Sequence, residues 1–268
     1  MNISMENIKN LRERTGAGMV DCKKALEESQ GDIEKAIEIL RKKGIAKAAK
    51  RGEREASEGV IKVGVNEAGN EGYIVEINSE TDFVARNEKF QKFVEDVVEI
   101  IKTKSISDLD ELLNQAMENG NVKDNLASLS GTIGEKLGIK RFIKLSGKTV
   151  AAYSHLGGRI GVLVVLEREG QAELAQDLAM QIAAADPKYI LAGDVPAEET
   201  EKEKEIYKET LAKEGKPAEI VEKILEGKIK KYYEEICLIE QEYIKDDKQK
   251  VKDILGEIKV EKFIRYSL

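Results

Sequence analysis

Twice in this sequence, about ninety residues apart, an alternating apolar stretch turns, returns as a second such stretch and runs into an amphipathic helix. In the first copy Gly59–Val65 alternates, turns through Asn66–Glu71 and returns as Tyr73–Ile77. A strand turns successive side chains to opposite faces. Ile61, Val63 and Val65 therefore share one face, and Tyr73, Val75 and Ile77 share another. The helix that follows carries Phe90, Phe93, Val94, Val97 and Ile101 at helical spacing. In the second copy Val150–Tyr153 leads through Gly157-Gly158 into Ile160–Val165, and then into a helix bearing Leu174, Leu178 and Ile182. Further strands are predicted at Ile139–Leu145 and Val260–Tyr266. The pattern predicts an α+β chain with two related small antiparallel sheets, each covered by helices on one face.

The flanks of this core differ from it. Residues 1–50 read as three short helices: Ser4 to about Arg14 with Ser4 as N-cap, Met19 to Ser29, and a third capped by Asp32. Glycines at Gly16, Gly18 and Gly31 separate them. The result is a small three-helix module resembling the ubiquitin-associated fold. Lys42–Glu58, dense in charge and alanine, reads as a solvated helical linker; the alternative is a basic contact strip through Lys47, Lys50, Arg51 and Arg54. From Pro196 to Ile236 two charged helical arms flank Gly215-Lys216-Pro217, a helix-breaking turn. Ile206 and Leu211 of one arm face Ile220, Ile224 and Leu225 of the other in this reading, as a hairpin projecting about 27 Å. The division is 1–54 for the module with its linker, 55–145 for the first core unit, 146–195 with 237–268 for the second, and 196–236 for the inserted hairpin.

Composition narrows the function. Lys and Arg total 44 against 51 Asp and Glu, a net charge of −7, which argues against a general nucleic-acid binder. No apolar run approaches the ~20 residues of a membrane span, and Cys22 and Cys237 are too few for a disulfide framework. The chain reads as soluble and cytoplasmic. With His155 as its single histidine it lacks the close-spaced ligands of a zinc site. Ser146-Gly147-Lys148-Thr149 ends like a phosphate-binding loop, but Phe142 stands where the loop needs its first glycine, and a strand follows where a helix is required. No cofactor and no catalytic group are expected.

Two long segments carry a resemblance. LRERTGAGMVDCKKALEESQGDIEKAI, Leu11–Ile37, and NSETDFVARNEKF, Asn78–Phe90, are similar to the two signatures of the elongation factor Ts family. IGEKLGIKR, YSHLGGRIGVLV, the Gly-Lys-Pro turn and FIRY agree in order, so the resemblance covers essentially the whole chain. It implies a non-enzymatic guanine-nucleotide exchange factor that binds elongation factor Tu and releases GDP. By that resemblance Thr81, Asp82, Phe83 and Val84 form a wedge acting near the partner's Mg²⁺. Ile133, Gly134 and His155 lie on its phosphate side, and Arg12, Met19, Val20 and Lys23 dock the N-terminal module. It also implies a possible homodimer through the hairpin. Spacing alone says something plainer. Phe83 lies seven residues before Phe90 and suits the first core position of that helix; Thr81 and Asp82 suit an N-cap; Met19 and Val20 could pack inward; His155 could be an ordinary turn residue. The competing reading is a ribosome- or RNA-associated binding protein using the basic linker and the hairpin, opposed by an aromatic content of 5% without Trp.

Overall fold

A computed structural model describes residues 3–49, 51–118, 120–213 and 218–268. The chain opens with helices α1 (Met5–Thr15), α2 (Met19–Glu28) and α3 (Ile33–Ala49). Ser4 caps α1, its Oγ accepting from the Asn7 N–H at 3.1 Å, and Asp32 does the same for the Lys35 N–H. Ile8, Leu11, Cys22, Ala25, Leu26 and Ala36 close a core of their own. Met19, Ile33, Ile37 and Leu40 pack against this small core, half-buried.

Strands β1 (Glu58–Val65) and β2 (Glu71–Ser79) form the first hairpin, followed by α4 (Asp82–Ala85), α5 (Glu88–Thr103), α6 (Leu109–Asn114), the short strands β3 (Ala116–Met117) and β4 (Gly120–Asn121), α7 (Val122–Ile133) and β5 (Leu137–Ser146). Next come β6 (Thr149–His155), β7 (Ile160–Leu166), α8 (Ala172–Ala185), the arms α9 (Ala197–Lys213) and α10 (Ala218–Ile236), β8 (Glu242–Tyr243), β9 (Asp246–Lys250), α11 (Val251–Leu255) and β10 (Val260–Ser267). The two main sheets have the orders β1-β2-β5 and β10-β7-β6, all pairs antiparallel. Each is thus a hairpin whose second strand also pairs with a strand from later in the chain.

The period-2 patterning decides where each face goes. Tyr73, Val75 and Ile77 of β2 pack with Phe90, Phe93, Val94 and Val97 of α5. Ile61 and Ile74 look the other way and meet Val150, Leu163, Val165 and Tyr266 of the second sheet. The second sheet's outer face is closed by Leu178 and Ile182 of α8 and by Val251 and Leu255 of α11. Gly147-Lys148 is the turn between β5 and β6, and Thr149 opens a strand with its hydroxyl donating to the Arg168 carbonyl, so no helix N-terminus follows this phosphate-loop-like string.

Two readings need correction. The segment read as a solvated linker begins inside α3, which lies across α7 at Gly44 and Gly131, where a Cβ on Gly131 would overlap the Gly44 backbone. Further on, Arg51 donates to the Ser130 carbonyl at 3.1 Å and Arg54 to the Glu80 carboxylate at 3.2 Å, so neither is a free contact residue. The side chain of Lys47, and Lys50 altogether, lie outside the described residues, as do Gly215-Lys216-Pro217 and the Ile220 side chain. In the hairpin Leu211 and Leu225 are buried as read, but Ile206 is 56% exposed. The inward positions nearer the base belong to Tyr207, Tyr232 and Tyr233. There the Glu199 carboxylate accepts from the hydroxyls of Tyr189 at 2.6 Å and Tyr232 at 2.7 Å, tying the arms to the body.

Candidate partner-binding site

The segment Thr81–Val84 sits between the end of the central strand β2 and the first turn of α5. Arg86 ends one helix and Asn87 starts the next: the Asn87 side chain caps α5 by accepting from the Lys89 and Phe90 N–H groups. Asp82–Ala85 is therefore a separate single turn, and helical phase does not carry from Phe90 back to Phe83. Val84 turns inward to 7% exposure, whereas Phe83 is 81% exposed. The spacing reading of Phe83 as a core residue is overturned: the break at Arg86-Asn87 rotates it into solvent. Among the described residues no large hydrophobic side chain is more exposed than Phe83; Val20 and Leu156 follow at 66%. Asp82 is half-buried and pairs with Arg86 at 3.2 Å.

Thr81 occupies the N-cap position but its side chain makes no capping hydrogen bond. Its N–H and its Oγ1 instead donate to the two oxygens of Glu135, at 3.0 and 2.7 Å. Glu135 stands there because α7 ends at Gly134, whose φ of 94° turns the chain back towards β5, a left-handed conformation that glycine adopts without steric cost. Ile133 and Gly134 are half-buried, Ile133 leaning on the α5 core. Thr81–Val84 and Ile133-Gly134 are thereby joined. Next to this joint the Glu80 carboxylate accepts from the Lys136 N–H and from Arg54. These bonds hold its pKa below the ordinary carboxylate value, the backbone bond first.

The β6–β7 turn reaches the same side. His155 is exposed, its Nδ1 3.1 Å from the Tyr153 hydroxyl with the two rings stacked 5.8 Å apart. Leu156 beside it is 66% exposed with φ of 51°. The turn is fastened to β1 by the Gly158 carbonyl, which accepts from the Ile61 N–H at 2.7 Å. Arg159 donates to Glu58 at 2.6 Å; that bond and the neighbouring negative charges, Asp82 among them, raise the guanidinium pKa.

On the module, Arg12 and Lys23 are exposed, Lys23 facing Glu27 at 3.9 Å, and Val20 is 66% exposed. Met19 is half-buried against the module core, so of the two apolar residues only Val20 points fully outward. The α1–α2 turn lies beside the junction of α4 and α5: Gly16, Arg86–Lys89, Thr132 and Ile133 line one cleft of about 520 Å³. Sequence reasoning missed the supports Glu80, Glu135 and Arg159. The available signal was adjacency: Glu135 follows Ile133-Gly134, Glu80 precedes Thr81, and Arg159 lies within the YSHLGGRIGVLV segment. Among the described residues no group of His, Cys, Asp and Glu could hold a metal ion, and no helix is long and apolar enough to cross a membrane.

Comparison with known proteins meets this geometry. The family profile described as Elongation factor TS matches residues 80–268. Elongation factor Ts of a Nitratiruptor species is 47% identical over 285 aligned positions, covering 100% of this chain and 93% of the relative. Elongation factor Ts of Chlorobium phaeobacteroides is 45% identical over 283 positions, covering 99% and 98%. The α+β chain with its N-terminal three-helix module is thus a translation elongation factor by class. Within that class it belongs to the elongation factor Ts family.

Proposed function

We propose that this chain is the guanine-nucleotide exchange factor of translation elongation, binding elongation factor Tu and promoting GDP release so that GTP can rebind. The observation that carries the reading is Phe83, 81% exposed on a single helical turn whose base is hydrogen-bonded on both sides. An exposed aromatic on a fixed mount can enter a partner without first paying to be ordered. Thr81, Asp82, Phe83 and Val84 act beside the partner's Mg²⁺. That ion demands near-ideal octahedral geometry, so small displacements of its ligands weaken it sharply. Its loss leaves phosphate charge uncompensated and lowers GDP affinity.

Ile133, Gly134 and His155 flank this contact, while Arg12, Val20 and Lys23, with Met19 behind them, dock the module. In this reading residues 1–54 form the docking module, 55–145 the wedge-bearing unit, 146–195 with 237–268 the second unit, and 196–236 an association hairpin. The exposed Ile206 on that hairpin is where a second copy of the chain would pack. The test is release of fluorescent GDP from elongation factor Tu. Release accelerated by catalytic amounts of this chain is expected; an unchanged rate at saturating chain removes the reading.

A further inference from the structure

We infer that Glu135 is a positioning residue for exchange: it holds the Phe83 turn at the angle at which the ring enters the partner. The inference rests on the exchange reading above and adds a residue to it.

Three observations converge on Glu135. First, Thr81 stands at an N-cap yet gives that role up, sending both its N–H and its hydroxyl to the Glu135 carboxylate. A helix of four residues has little stability of its own, so its orientation depends on what grips its ends, Thr81 at the N-cap among them. Second, the grip is reciprocal. The Thr81 N–H donates to Glu135 and the Lys136 N–H donates to Glu80, so each of the two segments supplies a carboxylate to the other's backbone. Hydrogen bonds to ionised carboxylates are roughly twice as strong as neutral ones. Third, the carbonyls on either side are held as well. Ser79 Oγ donates to the Thr81 carbonyl at 2.9 Å and Ser130 Oγ to the Glu135 carbonyl at 2.5 Å. Glu135 is half-buried, and the side-chain hydrogen bonds it accepts are the two from Thr81.

With Glu135 removed, the turn keeps Val84 in the core, the Gln91 side-chain bond to the Ala85 carbonyl and the Ser79 bond to the Thr81 carbonyl, but it loses both bonds that fasten its start to the end of α7. Phe83 then samples several directions, of which one is productive. The expected signature is a fall in the maximal GDP release rate with little change in the concentration giving half-maximal release, since the docking residues of the module are untouched.

The experiment measures GDP release from elongation factor Tu over a range of concentrations of the full chain. Wild type is compared with Phe83→Ala, Glu135→Ala, Glu135→Gln, Thr81→Val and the double variant Phe83→Ala/Glu135→Ala, each with a thermal melt. Misplacement of a reacting group can cost up to about a hundredfold in rate. A drop of about tenfold is expected for Glu135→Ala, with half-saturation moving less than about threefold. Glu135→Gln keeps one acceptor oxygen and should recover part of the rate; Thr81→Val keeps the N–H donor and should lose part of it. The double variant should be no slower than Phe83→Ala alone, because a positioning residue has nothing left to position; a merely structural residue would add its own loss. Should Glu135→Ala fail to fold, Glu135→Gln and Thr81→Val carry the same comparison. If wild type does not accelerate release, the exchange reading falls. If wild type accelerates release and Phe83→Ala abolishes it while Glu135→Ala matches wild type, or the two losses add, the inference alone falls.

Discussion

Phe83 and Glu76 pull the usual rules in opposite directions: an aromatic left in water and a carboxylate fully removed from it. Truncating a buried Phe costs about 3–5 kcal/mol, whereas a surface change stays within about 0.5 kcal/mol. Phe83→Ala should therefore leave the melt essentially unmoved while GDP release collapses; a large loss of melting temperature would return Phe83 to the core. Its exposure was not legible from spacing, because the seven-residue interval to Phe90 presumes one continuous helix. The Asn87 cap that interrupts it acts through a side chain that could equally have faced solvent. Glu76, by contrast, gave no signal at all in the alternation of β2. A bulge passing from Glu76↔Arg141 to Ile77↔Ile139 brings Lys140 and Arg141 to one carboxylate, at 2.8 and 2.7 Å, and the guanidinium also lies over the Tyr266 ring. Burial alone would raise the Glu76 pKa; the bonds from Lys140, Arg141 and Asn78 outweigh it and hold the pKa below the ordinary value. Because the folded pKa is the lower one, the stabilisation is present above the unfolded carboxylate pKa of about 4.3 and is lost as pH falls through the folded value. Glu76→Gln should cost about 1–3 kcal/mol near neutrality, allowing for the partial exposure of both cations. Denaturant melts from pH 7 down to pH 3 should show the gap to wild type closing. A gap independent of pH would mean that the carboxylate's charge plays no part.

Among the elements, both sheets could be read from alternation, and the faces assigned to Ile61 and Tyr73 are the faces they occupy. Alternation dictates which residues share a side, and two sides with apolar rows must both be covered. What the sequence could not convey is helix against helix. The α3–α7 crossing depends on two glycines whose meaning is close approach, and a glycine in a helix looks from sequence only like a weak position. The crossing is asymmetric. A Cβ on Gly44 would meet the Gly131 Cα at 3.6 Å, an ordinary contact, whereas one on Gly131 would overlap the Gly44 backbone. Alanine is favoured over glycine in a helix interior by about 1 kcal/mol. Gly44→Ala should accordingly be neutral or stabilising, and Gly131→Ala should force α3 off α7. Hydrogen exchange along α3 and α7 is the readout: protection kept in the first variant and lost in the second. Equal protection in both would show that the helices do not pack through this pair. The hairpin gives the same lesson in reverse, since its apolar pattern was sparse enough for Ile206 to be placed inside when tyrosines with polar ends fill that role. A tyrosine reads as amphipathic until its hydroxyl partner, here Glu199, is known.

For the whole molecule, the candidate contacts lie on separate mounts: the α1–α2 turn, the α4 turn, the end of α7 and the β6–β7 turn. The α1–α2 turn meets α7 at Gly16 beside Thr132, the end of α7 meets the α4 turn at Glu135 with Thr81, and the β6–β7 turn is fastened to β1 at Arg159 with Glu58. A body built this way can grip through one mount and press through another, and that difference is what exchange requires. If the chain weakens GDP binding to elongation factor Tu by some factor, GDP must weaken the chain's binding by the same factor, because coupling free energies are reciprocal. A ligand that binds the loaded and empty partner equally shifts nothing, however tightly it binds. In the proposed exchange reading the module contacts through Arg12, Val20 and Lys23 are of the uniform kind. The Asp82-Phe83 contact is, in the same proposal, of the differential kind, with the ring taking space that opens once metal and phosphate leave. Binding should therefore be tightest to nucleotide-free elongation factor Tu, and excess GDP with Mg²⁺ should dissociate the complex. Replacing Asp82 and Phe83 together by Ala should bring the two affinities towards each other mainly by weakening the one for the empty partner, while the affinity for the loaded partner stays put. Titration calorimetry on both forms, with wild type and the double variant, measures all four affinities. A wild-type chain that binds empty and GDP-loaded partner with equal affinity would exclude exchange by this route even if the complex is stable, and an undiminished difference in the double variant would move the differential contact away from the wedge.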